Sequence, residues 1–107
     1  MPRFLIIGSY SPEASKTVLA RGGTARRTAI EKMLTGLGGR LESFDFAFGS
    51  DDVYLLVDLP DSRSAAAVSL TLNGSGVART RTVVLMTPEE MDEAVGIHPD
   101  YQPPTAT

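Results

Sequence analysis

The chain has 107 residues and a formal net charge of −3, enough for one domain around one core. Hydrophobic residues make up 42%, an ordinary globular share that excludes disordered and fibrous classes. Cysteine is absent, which excludes disulfides, a thiol nucleophile and cysteine-held metals and favours an intracellular, cytoplasmic setting.

The acidic balance argues against a general nucleic-acid binder. Apolar runs such as residues 4–7 are too short to cross a bilayer, and the first residues make a poor signal peptide, so no membrane partner is expected. Eight arginines against two lysines hint at a G+C-rich bacterial genome.

Residues 3–9, dense in β-branched and aromatic side chains, predict the first strand. Ser11, Pro12 and Glu13 then mark a helix start: a cap, a proline at the first position and an acid facing the dipole. Gly22-Gly23 interrupts that helix, and Thr24 is the expected cap of a second segment. Ile30, Met33, Leu34 and Leu37 recur at i, i+3, i+4 and i+7, one buried helical stripe. Gly38-Gly39 ends it.

A second strand is expected over residues 40–48, where Phe44, Phe46 and Phe48 alternate with Asp45 and Ala47. Turn residues 49–52 lead into a third strand over 53–57, making a hairpin. Asp61 or Ser62 caps the next helix, whose apolar face is Ala65, Val68 and Leu72. The fourth strand is expected over residues 77–86. Thr87-Pro88-Glu89-Glu90 is a capping box, and the short helix behind it should carry Met91, Ala94 and Val95 onto the core. Residues 1–96 form the expected domain. The tail 97–107 holds three prolines and reads as irregular.

The order β-α-β-β-α-β predicts a ferredoxin-like α+β fold, a four-stranded antiparallel sheet with its helices on one face. A monomer of that kind shows polar residues at every second strand position. Residues 4–7, 53–57 and 83–86 are instead apolar at both parities. An apolar face of that size calls for a cover, and the simplest is a second copy related by a twofold axis. A homodimer or higher homo-oligomer is therefore expected.

The chain resembles the GYD domain family, small bacterial and archaeal proteins of largely unassigned function. The resemblance rests on Gly8-Ser9-Tyr10-Ser11-Pro12-Glu13, Leu37-Gly38-Gly39-Arg40-Leu41, Phe48-Gly49-Ser50-Asp51-Asp52, Val57-Asp58-Leu59-Pro60-Asp61, and Arg79-Thr80-Arg81-Thr82 before Thr87-Pro88-Glu89-Glu90-Met91. The naming motif Gly-x-Tyr-Asp falls on Gly49, Asp51 and Asp52, with Asp51 where the family has tyrosine. The resemblance implies a dimeric α/β-barrel fold and supplies no activity.

Candidate chemistry is sparse. His98, the sole histidine, sits in the tail without carboxylates at ligand spacing, so no metal is expected. Asp51 and Asp52 are neighbours on an extended chain and point to opposite faces, which suits a turn better than a shared site. Asp52 is the better functional candidate, with Gly49, because both match the motif. Arg79 and Arg81 share a strand face and are candidates for a carboxylate or phosphate, or for pairing with Asp45 or Glu42 across the sheet. Tyr10 and Tyr54 are candidates to line a pocket.

None of the glycine pairs has the order or ending of a phosphate loop, and no cofactor is expected. The central strands lack the aromatic and basic residues of an RNA-recognition module. The expected function is a homo-oligomeric domain that binds a small metabolite or a partner. The alternatives are a cofactor-free monooxygenase or isomerase, by fold analogy, and a purely structural oligomer.

Overall fold

A computed structural model describes residues 1–105. Its elements are β1 (Arg3–Tyr10), α1 (Pro12–Arg21), α2 (Gly23–Gly36), β2 (Arg40–Phe46), β3 (Val53–Asp58), α3 (Ser62–Gly74), β4 (Ala78–Leu85) and α4 (Pro88–Val95). The strands form one antiparallel sheet in the order β2-β3-β1-β4. This is the expected ferredoxin-like α+β arrangement, with each crossover leaving one strand between its partners.

Alternation decides what lies under the helices. Phe4 and Ile6 of β1 and Val53, Leu55 and Val57 of β3 form one core with Ile30 and Leu34 of α2 and Ala65 and Val68 of α3. Both main helices therefore cover the same sheet face. Each large side chain so buried contributes ~1.5–3 kcal/mol. Met33 and Leu72 pack at the edge of the core as their spacing predicts, whereas Leu37 lies past the end of α2 and is exposed.

Local chemistry accounts for most element ends. Ser11 caps α1, its Oγ accepting the Ala14 amide at 3.1 Å, and Asp61 caps α3 through the Ser64 amide at 2.9 Å. The break between α1 and α2 differs from expectation: Gly22, not Thr24, is the boundary residue. Its φ of +83° is a left-handed conformation that side chains other than glycine resist, and the chain turns there sharply enough for α2 to begin at Gly23. That start sits so close to Phe46 that a Cβ on Gly23 would come within 2.6 Å of the ring.

β2 pairs with β3 through a bulge. Leu41 faces Val57 and Ser43 faces Leu56, so Glu42 is an extra residue. The insertion lets both Leu41 and Phe44 pack against the core although they stand three apart. The strand stops at Phe46, short of the expected Phe48, which is fully exposed. A hydrogen bond from the Ala47 amide to the Asp52 carbonyl closes the loop and leaves Phe48 outside the ladder.

The last helix overturns an expectation. The capping box forms as read, with Thr87 Oγ1 accepting the Glu90 amide and Glu90 Oε1 accepting the Thr87 amide, both at 3.1 Å. Yet α4 buries no residue, and Met91 and Val95 are exposed rather than on the core. A capping box satisfies only local amides, and it forms whether or not the helix packs. The radius of gyration is 17.4 Å, against about 13 Å for a compact chain of this length. Residues 97–105 carry no regular structure, and the last two residues of the tail lie outside the described residues.

Candidate functional site

The sheet face turned away from the helices carries Leu5, Ile7, Tyr54, Leu56, Val83 and Leu85. Leu56, Leu5 and Val83 stand side by side across three strands. Charged clusters bracket this apolar strip. At one end Asp58, only 6% exposed, accepts from Arg40 at 2.9 Å, while Glu42 accepts from Arg3 at 2.8 Å. At the other end Asp51 gathers three donors: Ser9 Oγ at 3.2 Å, Tyr54 Oη at 3.5 Å and Arg81 at 3.1 Å.

Arg81 thus pairs with Asp51, and neither Asp45 nor Glu42 is its partner. Those two acids lie on β2, at the opposite edge of the sheet from β4, with β3 and β1 between. Arg79 stands beside Arg81 in a shallow hollow of about 260 Å³ that also includes Ile7, Ser9 and Asp51. Among the described residues Arg79 has no ion-pair partner, while Arg81 would have to leave Asp51 to meet an anion.

The adjacent carboxylates do point apart. Asp51 serves the open face. Asp52 accepts the Tyr10 amide at 2.8 Å and donates its own amide to the Gly8 carbonyl at 2.9 Å, so it fastens the end of β1. Residue type suggests a local turn role, whereas the Asp52 carboxylate ties the loop to a strand 42 residues away. Gly49 lies exposed at the tip of the same loop, where an added Cβ would meet nothing within 4 Å.

Tyr10 lies on the other side of the sheet, where strand parity puts it with Phe4 and Ile6. Its ring is 6.4 Å from that of Phe46, which meets Phe44 edge-on at 5.2 Å. The interior beneath these rings is nearly filled: the cavity that Phe44 and Leu55 help line holds about 20 Å³, room for about one water.

The larger space opens beside it. A cavity of about 560 Å³ lies between α1, the first turns of α2 and the turn before β4. Tyr10 forms one wall, and Ala14, Val18, Ala25, Ala29 and Val77 give it an apolar lining. The Ser11 amide donates to the Val77 carbonyl at 2.9 Å, which ties the two ends of the wall together. Glu13, Arg21 and Arg26 are its charged residues.

Arg26 places its guanidinium carbon 5.7 Å from the Tyr10 ring centroid, a cation–π distance. Its Nε is shielded from solvent and has no hydrogen-bond partner among the described residues. Burial raises the Tyr10 pKa above its ordinary value against the opposing pull of Arg26, and the Asp52 charge adds to the rise. The phenol therefore stays protonated and can donate.

Sequence reasoning missed Arg26, although a signal was present. It precedes Ile30 by four residues and Leu34 by eight, so helical spacing sets a cation on the buried stripe of α2. Arg27, next to it, faces outward and reaches Glu31 at 3.7 Å. Of the residues singled out from sequence, Tyr10 alone joins this cavity. Tyr54, Arg79 and Arg81 meet on the open face, and Gly49 and Asp52 belong to the loop.

Among the described residues no group of three or more histidine, cysteine, aspartate or glutamate side chains could hold a metal ion. No helix among them is long and apolar enough to cross a membrane.

Comparison with protein families matches residues 4–95 to the GYD domain. No curated protein and no solved structure matches the chain. The match covers nearly the whole sheet-and-helix body together with α4, and the chain belongs to the GYD domain family.

Proposed function

We propose that this protein is a homo-oligomeric domain that binds a small molecule in the cavity bounded by α1, α2 and the turn before β4. The observation that carries the reading is the cavity of about 560 Å³ with Tyr10 and Arg26 on its wall. That volume suits a metabolite-sized ligand, and an apolar lining with a few convergent polar groups is the usual composition of such sites. The only carboxylate on the wall is Glu13, which supports binding over acid–base chemistry between paired carboxylates.

Assembly is the second part of the proposal. The open face presents an apolar strip framed by charges, and Val83 within it is 40% exposed. A second copy of the same face, turned by a twofold axis, would cover strip with strip and set the charged ends against one another. α4 contributes no residue to the core.

Native mass spectrometry of the protein purified from its own cells tests both parts. A dimer or higher multiple carrying added small-molecule mass is the expected result. The added mass should vanish in Ala25→Trp, which fills the cavity without touching the core. A spectrum with no added mass in either protein would overturn the ligand reading, and a clean monomer would overturn the assembly.

A further inference from the structure

We infer that the cavity selects an apolar molecule bearing a single carboxylate, held by Arg26 with Tyr10 as a second donor. The inference rests on the cavity being the ligand site and goes on to name the ligand's chemistry.

Arg26 is the reason. A guanidinium among alanine and valine side chains has lost part of its hydration and gets back only the face and hydroxyl of Tyr10, with no acceptor for Nε among the described residues. A buried donor left unmade is costly. A planar fork of N–H groups matches a carboxylate in both geometry and charge. The Tyr10 hydroxyl, protonated in its half-buried setting, can donate to the same group.

The other charged residues on the wall limit what the anion can be. Arg21 adds one positive charge and Glu13 one negative. Together with Arg26 they leave a net of one positive charge, which one carboxylate balances. A phosphate dianion would bring a second negative charge toward Glu13 with no further cation to meet it. The rest of the ligand is apolar, because most of the wall is Ala14, Val18, Ala25, Ala29 and Val77 and its hydroxyls, on Ser11, Thr17 and Ser75, are already bonded to backbone.

Paired probes separate charge from shape. Butyrate, octanoate, benzoate and 4-phenylbutyrate would each be titrated beside the neutral amide of the same skeleton, using calorimetry on the full chain. At least one acid should bind about tenfold or more tighter than its amide, the usual worth of a charge-assisted hydrogen bond. Arg26→Gln should bring that acid down to its amide's affinity. Arg26→Lys, which keeps the charge but not the fork, should fall between.

Nitrogen-15 spectra of the unaltered protein give a readout that does not depend on how a variant folds. The Arg26 Nε–H resonance should move with the binding acid and stay in place with its amide and with inorganic phosphate. Equal affinity of acid and amide, or a preference that survives in Arg26→Gln, would overturn the carboxylate inference and leave the cavity reading intact. If no acid in the panel binds or moves that resonance, the inference is overturned. The cavity reading falls with it only if the native spectrum also lacks added mass.

Discussion

The two faces of this sheet are built from the same strands and do different work. On the covered face Phe4, Ile6, Val53, Leu55 and Val57 lock into α2 and α3. On the open face the alternate residues Leu5, Ile7, Tyr54 and Leu56 form a strip that no helix covers, with ion pairs at both ends. Ile7 is only 5% exposed, shielded without any helix over it, whereas Val83 on the neighbouring strand is 40% exposed. Burial on the first face is complete along β1 and β3 but not at the edge, where Val84 of β4, opposite Phe4, is 66% exposed. The second face is shielded toward β3 and left open toward β4, so that β4 is the exposed strand on both faces.

The largest effect should come from the covered face. Leu34 is fully buried, and Leu34→Ala should cost about 2–5 kcal/mol in urea unfolding. A loss below 1 kcal/mol would mean that the core is far looser than its burial implies.

Leu56→Asp on the open face should act on assembly instead. Light scattering should show monomer, with the far-ultraviolet spectrum retained. The matching change one residue earlier, Leu55→Asp, should unfold the protein, because Leu55 faces the core. If the two variants behave alike, the distinction between the faces is wrong.

A smaller effect is expected at high pH, from Tyr10 on the helix side. Its pKa is raised in the folded chain, so the unfolded chain releases its proton first. The stability linked to it is fully present below the ordinary tyrosine value of about 10 and is lost as pH rises through the raised native value. Tyr10→Phe should flatten that part of the decline in unfolding curves taken through this range. An identical alkaline slope would assign the loss elsewhere.

The smallest effect belongs to α4. Thr87→Ala removes half of a capping box, yet the melting temperature of the body should not move, since α4 buries nothing in it. Only the amides of α4 should exchange faster. A clear drop in melting temperature would place α4 against the body, or against a partner, in solution.

Much of this fold was legible because its determinants are local. A period-two run located β2, apolar and β-branched runs located the other strands, and period-3.6 runs located α2 and α3. The parity of the first and third strands exposed a sheet with two apolar faces. What was not legible depends on neighbours distant in sequence. Arg81 could not be matched to Asp51 without the strand order, and Phe48 continues an alternation whose ladder had already ended at Phe46. The stripe of Met91 and Val95 implied a docking site that the body does not provide. Arg26 went unremarked although it stood in register with Ile30 and Leu34, because a cation on an apolar stripe makes sense only once a cavity beside it is known.

The bulge at Glu42 has a further consequence, for solubility. β2 is an edge of the sheet and carries Phe44 and Phe46. A flat aromatic edge with an unbroken row of amides is a template on which other chains can aggregate. The extra residue breaks that row and twists it, and Arg40, Glu42 and Asp45 put charges along it. The same insertion that lets Leu41 and Phe44 share the core therefore denies strangers a place to add a strand.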